Sequence, residues 1–191
     1  MKKILTFPLL LVISCLLGGA YGILHDQLTY TIAPEYYTKF KFYQFGFMDM
    51  GNEAIFPNPR FYVSVVGFLA TWWMGLFIGF LLGLIGFVHT GWKLMFTITL
   101  KAFLFTMLIA FATGLTGLAY GYFFLADLPK EEFRNWYLPD NLIDFRNFIT
   151  VGSMHNFSYL GGVIGLVAGM IYSMSQKPNL ASSIFWWTKK Q

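Results

Sequence analysis

The sequence predicts an all-α membrane protein, a bundle of four transmembrane helices with two aromatic-rich outer loops. Three observations lead to this fold class: 57% of the 191 residues are hydrophobic, 12% are charged, and the apolar residues form four long runs. A soluble domain typically has about 25% charged residues. Half of that charge cannot cover a water-soluble globule, so the composition excludes a cytosolic enzyme, a disordered chain and a free nucleic-acid binder.

The four apolar runs cover about residues 4–24, 61–88, 94–126 and 148–174 of one integral membrane domain, residues 1–191. Each run reaches the ~20 residues that a helix needs to cross ~30 Å of hydrocarbon, and the last three exceed it. Because lipid offers the backbone no hydrogen-bond partners, each run is predicted to be a helix. The excess length predicts tilted helices or extensions beyond the hydrocarbon.

The first apolar run has two further interpretations. Its Lys-Lys start and the small residues of Ala20–Gly22 are typical of a signal peptide cleaved after residue 22, but the run exceeds the usual ~7–15 residues of a signal core. Val12–Cys15 resembles the acylation box of lipoproteins, although Val12 stands where leucine is usual. We therefore expect a retained helix, and a cleaved segment that leaves three helices is the alternative.

Charge placement predicts the orientation of the helices. All nine acids lie between residues 25 and 59 or between 127 and 147, whereas the start, the 89–101 turn and the tail contain lysines and no acid. These lysines are Lys2, Lys3, Lys93, Lys101, Lys177, Lys189 and Lys190. The positive-inside rule places both termini in the cytoplasm of a bacterial inner membrane and both long loops outside. The lipid bilayer is the predicted environment, the outer loops are the predicted surface for a protein partner, and nucleic acid is not an expected partner.

The two outer loops are predicted to hold structure of their own. Pro34 begins a helix in the first loop, and an aromatic stripe follows at helical spacing: Tyr36, Phe40, Tyr43 and Phe47. Because residues 39–42 alternate lysine and phenylalanine, a strand is the alternative there. In the second loop, Pro129 begins a short helix and Asp140 is the predicted cap of the fourth long helix.

Small residues recur at intervals of four on all four predicted helices. They are Gly18 and Gly22 in the first helix, Gly75, Gly79 and Gly83 in the second, Ala110 with Gly114 and Gly117 with Gly121 in the third, and Gly161, Gly165 and Gly169 in the fourth. Small residues at this spacing allow helix backbones to approach closely. They predict packing within one bundle, with packing between two copies as the alternative.

Two of the three histidines, His25 and His155, are predicted to lie at the same depth. Twenty residues counted from Ile4 end at Leu24, and twenty counted back from Lys177 end near Phe157. Each histidine also continues the small-residue face of its helix. If these faces pack together, the two imidazoles meet at the outer membrane boundary. The third histidine, His89, is predicted to be a turn residue.

Two imidazoles and a carboxylate at a membrane boundary are candidate ligands. His25, His155 and Asp26 suit a divalent metal ion, and the two histidines also suit a b-type haem with two axial ligands. The residues predicted to orient them are Gln27, Glu35, Asn156 and Ser158. The alternative is structural, because a histidine at a helix end is often held by a nearby polar group. The motifs of zinc proteases, serine hydrolases and nucleotide-binding loops are absent from the sequence.

Four segments resemble an uncharacterised group of small bacterial four-helix inner-membrane proteins. They are His25–Gln27, Glu35–Thr38, Ala70–Trp73 and His155–Tyr159. The resemblance implies a membrane location and no particular activity. The leading hypothesis is therefore a non-enzymatic accessory or structural subunit whose outer loops contact a partner. The alternative is a metal- or haem-binding membrane enzyme or redox carrier that uses the two histidines.

Overall fold

The computed structural model describes residues 2–177 of the chain and contains four long helices. They are α1 (Lys2–Ile32), α2 (Pro59–Gly86), α3 (Trp92–Tyr120) and α4 (Phe145–Ser175). A π-helical turn, Gly121–Leu125, extends α3. Each of the four is long and apolar enough to cross a membrane, so the predicted four-helix membrane bundle is confirmed. The tail lysines Lys189 and Lys190, used in the orientation prediction, lie outside the described residues.

The end of the bundle with the two long connections is called the loop end, and the opposite end, with the short α2–α3 connection, is called the turn end. At the loop end, α1 continues past its predicted end at Leu24 to Ile32. The apolar run stops at His25, but the helix does not, because the polar side chains that follow are buried against other elements. His25, Asp26 and Thr29 are 5%, 4% and 0% exposed. The Thr29 hydroxyl also donates to the His25 carbonyl at 3.1 Å.

The two connections at the loop end are helical in part. Pro34 begins the first segment as predicted, which runs through Pro34–Tyr36, the π-helix Tyr37–Lys41 and Phe42–Gln44. Within residues 2–177 there is no strand, so the strand alternative for residues 39–42 is wrong. This helical segment ends at Gln44, so Phe47 does not continue the predicted aromatic stripe.

The second connection contains a 3-10 helix, Lys130–Phe133, which follows Pro129 as predicted. The predicted cap of α4 is wrong: Asp144 rather than Asp140 caps the helix, and its Oδ1 accepts a hydrogen bond from the Asn147 backbone amide at 3.1 Å. A side-chain cap must lie immediately before the first helical turn. Because α4 begins at Phe145, Asp140 is too far upstream for this role.

Glycines lie at the closest helix contacts. α1 packs along α2, and α3 packs along α4, whereas α1 meets α4 at the loop end. A Cβ atom on Gly18 would lie 2.7 Å from the Gly75 Cα, and one on Gly165 would lie 2.7 Å from the Thr106 carbonyl oxygen. Similar contacts place Gly22 on Gly67, Gly79 on Ser14, Gly83 on Phe7, Gly161 on Ala110 and Gly169 on Ala102. A larger residue at Gly18, Gly22 or Gly165 would push two helix backbones apart.

The two connections pack together with the helix ends as an aromatic cap over the bundle. Its fully buried side chains include Tyr37, Phe42 and Phe148, from the first connection and from α4. A second, smaller apolar cluster around Leu82 and Phe103 lies deeper among the helices. The cap matters for function because it holds residues 36–41 directly against the loop end of α1 and α4.

A matched pair of alanine substitutions on α4 tests the close approach of α3 and α4. Gly165→Ala is expected to destabilise the protein by about 1–3 kcal/mol, because its methyl group would overlap the Thr106 backbone. Gly162→Ala is the control, since a Cβ there has no atom within 4 Å. It should be neutral or slightly stabilising because alanine favours helix more than glycine does. SDS-induced unfolding in mixed micelles measures both, and equal losses would contradict the close approach.

Candidate metal centre

His25 of α1 and His155 of α4 meet at the loop end of the bundle. Their ring centroids lie 4.8 Å apart in an edge-to-face arrangement. One candidate ligand atom from each of His25, Asp26 and His155 lies within 4.8 Å of the other two. All three side chains are buried. The structure therefore brings together the three residues that the sequence singles out as ligands.

The Asp26 carboxylate lies between the two imidazoles. Its Oδ1 is 3.3 Å from His25 Nδ1 and 3.5 Å from His155 Nε2. Both distances exceed the ~2.7–2.9 Å of a charge-assisted hydrogen bond. Ligands about 2.0–2.2 Å from a tetrahedral metal ion lie about 3.3–3.5 Å from one another. These two separations fit donor atoms that share a cation, and the two imidazole nitrogens lie within 4.8 Å of each other.

In each imidazole, the nitrogen that does not face Asp26 is within hydrogen-bond distance of another residue. His155 Nδ1 lies 2.9 Å from the Val151 carbonyl oxygen, which can only accept, so Nδ1 carries the hydrogen. In neutral His155, Nε2 therefore presents a lone pair to the Asp26 carboxylate. His25 Nε2 lies 3.1 Å from Ser158 Oγ. Metal-ligating histidines characteristically donate their remaining N–H in this way, which fixes the ring and its tautomer.

Two atoms of the cluster lack a hydrogen-bond partner among the described residues. They are Asp26 Oδ2 and His155 Nε2, and both are buried. A buried polar atom left without a partner costs about 1–3 kcal/mol. A cation bound by both carboxylate oxygens and by the imidazoles would satisfy both atoms at once.

The same geometry does not fit a b-type haem. Two axial histidines must face each other across a porphyrin, with the iron between them. His25 and His155 are in edge-to-face contact, and Asp26 lies between their facing nitrogens. This leaves no gap for a macrocycle.

Of the four residues predicted to orient the ligands, Ser158 alone contacts one of them. Gln27 instead bonds to Arg60 and Ser64 of α2, because it follows Asp26 on a different side of α1. Glu35 pairs with Lys39 in the cap. Asn156 is exposed on α4 and makes no hydrogen bond to the three candidate ligands.

The remaining histidine, His89, lies in the turn between α2 and α3. It is fully buried, and its Nε2 is 3.2 Å from Ser173 Oγ of α4. Burial and the nearby Lys3 lower the pKa of His89. A neutral imidazole that ties the turn to α4 agrees with the predicted turn role.

Three further residues, which the sequence analysis did not include, lie around the cluster. The Tyr36 ring stacks on His155 with centroids 4.8 Å apart, and the Tyr21 ring lies 5.8 Å from His25. Lys41 is 5% exposed and lines the same cavity as the ligands. Tyr21 precedes His25 by four residues on one helix face, a spacing that could have identified it. Tyr36 and Lys41 depend on how the cap folds, which local spacing does not encode.

A cavity of about 80 Å³ adjoins the cluster between the four helices. His25, Asp26, His155 and Lys41 contribute its charged and imidazole groups, and side chains such as Phe103 and Met107 make most of the remainder apolar. A second cavity of about 200 Å³ lies in the cap and is lined by Tyr36 and Trp136 among others. Tyr36 thus borders the second cavity and stacks on a candidate ligand.

No known protein family, no curated protein and no solved structure matches this chain. The chemistry of the centre therefore rests on its own donor atoms. These are two imidazoles and one carboxylate, a set that suits first-row divalent transition metals.

Proposed function

We propose that this membrane protein binds a divalent transition-metal ion through His25, Asp26 and His155. One observation carries the proposal: three buried candidate ligand atoms from two helices lie within 4.8 Å of one another. The unpartnered Asp26 Oδ2 and His155 Nε2 support it, because both atoms gain a partner when a cation is bound. Three protein ligands leave a fourth tetrahedral position open to another molecule.

A structural ion pair is the main competing explanation of the cluster. In that case His155 would be protonated and would donate directly to Asp26. The 3.5 Å separation of Nε2 and Oδ1 favours the metal, because a direct charge-assisted bond would draw these atoms to about 2.7–2.9 Å.

Zinc titration of the purified protein tests the proposal. We expect protein that has been stripped with a chelator in mild detergent to bind one Zn²⁺ per chain, measured by calorimetry and by metal analysis after gel filtration. Zinc is the probe because its preferred ligands include imidazole and carboxylate. Absence of stoichiometric zinc, together with no stoichiometric cobalt or iron(II) in parallel titrations, would overturn the proposal.

A second candidate role, as an accessory subunit, is favoured by apolar side chains exposed on both connections. Ile55 of the first is 90% exposed, and Ile143 of the second is 85% exposed. Such side chains suit contact with a protein partner where they belong to one contiguous apolar patch. If they contact a partner, the protein extracted from its native membrane should migrate as a larger complex, and serine at both positions should release it.

The proposed orientation places both termini in the cytoplasm of a bacterial inner membrane and the metal centre at the outer boundary. The lysines without acids at the turn end support it. The first helix is proposed to be retained, because Gly18 and Gly22 pack against α2 and His25 contributes to the centre. The glycine stripes are proposed to act as a glycine zipper within one chain.

Cysteine labelling tests this orientation. In a Cys15→Ser background, a cysteine at the exposed Asn52 or Asn135 should react with a membrane-impermeant maleimide in intact spheroplasts. A cysteine at the exposed Thr90, in the α2–α3 turn, is the control and should react only after the membrane is opened. The reverse pattern would contradict the proposed orientation.

A further inference from the structure

The cavity beside the metal centre is apolar except at one side. It is lined by all four long helices, and its apolar lining includes Ile78, Phe103 and Met107. Its charged groups are Asp26 and Lys41, which lie with the two histidines. A site of this composition suits a ligand with one polar head and an apolar body.

Lys41 is a buried cation that has no close ion-pair partner among the described residues. It is 5% exposed, and none of the ion pairs among residues 2–177 includes it. Its ammonium lies about 6 Å from the ring centroids of Phe40 and Phe45, at the outer limit of a cation–π contact. A buried charge without a close counter-charge is costly, so Lys41 is suited to an anion that enters the cavity.

A bound metal ion strengthens this preference for an anion. The ligands His25 and His155 are neutral in the metal-bound state, and Asp26 carries a single negative charge. The metal and Lys41 therefore leave an excess of positive charge in a buried site, which an anionic ligand reduces. A ligand oxygen can also take the fourth position that three protein ligands leave open.

The number of available partners favours a carboxylate over a phosphate. A carboxylate has two oxygens, which the metal ion and the Lys41 ammonium can each bind. Tyr21 also lines the cavity, and its buried hydroxyl is without a hydrogen-bond partner among the described residues, so it is a candidate further donor. A phosphate monoester has three terminal oxygens, so it would need the Tyr21 hydroxyl as well as the metal ion and Lys41, and any oxygen left unsatisfied in the buried site is unfavourable.

The cavity also has room for an apolar chain beside the α4 glycines. A Cβ on Gly162, which lines the cavity, would meet no atom within 4 Å, whereas one on the preceding Gly161 would lie 2.9 Å from the Ala110 Cα. The space at Gly162 is therefore open volume rather than a helix contact. A larger side chain at this position would occupy the volume without moving a helix.

We infer that the centre binds an amphipathic carboxylate of the fatty-acid type. The head would contact the metal ion and Lys41, and the start of the chain would lie beside Gly162. This inference rests on the proposed metal-binding function, because the metal supplies one of the two contacts to the head.

Binding of radiolabelled decanoate to the zinc-loaded protein in lipid nanodiscs tests the inference, with empty nanodiscs subtracted. Unlabelled decanoate should compete, whereas acetate, which lacks the chain, and decanol, which lacks the charge, should compete at least about tenfold more weakly. Decyl phosphate is a further competitor, and competition stronger than that of decanoate would overturn the assignment to a carboxylate.

Two variants separate the head site from the chain site. Lys41→Met removes the charge, and Gly162→Leu fills the cavity; each should weaken decanoate binding about tenfold or more while zinc stoichiometry stays unchanged. The controls are Lys130→Met, at an exposed lysine of the second connection, and Val163→Leu, at a residue of α4 that is 60% exposed. Both controls should bind decanoate as the wild type does.

The outcomes distinguish the inference from the proposed function. Zinc binding without saturable decanoate binding, or decanoate binding that neither variant weakens, would overturn the inference and leave the metal proposal intact. Absence of zinc from the wild type would overturn the metal proposal itself. Should Lys41→Met fail to fold, Gly162→Leu still decides the question, because it changes no charged group.

Discussion

Replacing either candidate histidine is expected to lower zinc affinity by more than about 100-fold. Even the loss of a partner that only orients a ligand typically costs about 10–100-fold, so the loss of a ligand costs more. His25→Ala and His155→Ala should therefore each abolish zinc binding at micromolar metal. Ser158→Ala should have the intermediate effect, because it removes the partner of His25 Nε2 and leaves all three ligands in place.

Asn156→Ala is the matched control for these variants. Asn156 is adjacent to His155 in the chain but is exposed and makes no hydrogen bond to the candidate ligands, so the zinc affinity of this variant should equal that of the wild type. Zinc at 100 times its dissociation constant should also stabilise the wild type by about 2.7 kcal/mol, and it should not stabilise His155→Ala. Retained zinc affinity in both histidine variants would falsify the assignment of the ligands.

The contact between His25 and His155 could be predicted because the thickness of the membrane determines the depth at which each residue lies. The two residues lie about twenty positions from the turn-end boundaries of α1 and α4, so they reach the same level. Each also lies on the small-residue face of its helix. Depth and face together predict a contact between elements far apart in sequence, and the rings lie 4.8 Å apart.

The helix pairing could not be predicted from the glycine stripes. A stripe such as that of Gly18 and Gly22 permits close approach to any small-residue face, including that of α4. The structure pairs these glycines with Gly75 and Gly67 of α2 instead. The choice depends on the complementary shapes of whole helix faces, which the spacing of small residues alone does not specify.

Local sequence patterns also could not predict which residues surround the centre. Alternating lysines and phenylalanines at residues 39–42 suggest lysines in water, yet Lys39 and Lys41 are 2% and 5% exposed. Lys39 is held by Glu35 and by the Asn141 carbonyl of the second connection, and Lys41 lines the cavity between the helices. Glu35 was expected near the histidines because it follows α1 closely, but its carboxylate is held by Lys39 and by the second connection.

Glu35 and Lys39 join the two connections of the cap. Glu35 Oε1 accepts a hydrogen bond from Lys39, and Oε2 accepts from the backbone amides of Ile143 and Asp144 at 3.1 and 2.6 Å. Lys39 also donates to the Asn141 carbonyl at 2.8 Å. Burial alone would raise the pKa of Glu35, but these hydrogen bonds outweigh burial and hold the pKa below its usual value.

Glu35→Ala is expected to destabilise the protein by about 3 kcal/mol without changing zinc affinity. Removing one member of a buried ion pair costs about 3–5 kcal/mol, and the lower value applies because the Glu35 side chain is 17% exposed and Glu53 still lies 3.6 Å from Lys39. Because the folded-state pKa of Glu35 is lowered, its ionised carboxylate stabilises the protein fully above the ordinary pKa of about 4.3. This stabilisation is lost as the pH falls through the lowered pKa of the folded state. The difference in unfolding free energy between wild type and Glu35→Gln, measured by SDS unfolding, should therefore shrink as the pH falls below 4.3, the unfolded-state value.

Glu131→Ala, at an exposed acid of the second connection, is the control and should change neither stability nor its pH dependence. A loss of zinc affinity in Glu35→Ala at neutral pH would instead indicate that this carboxylate contributes to the metal centre.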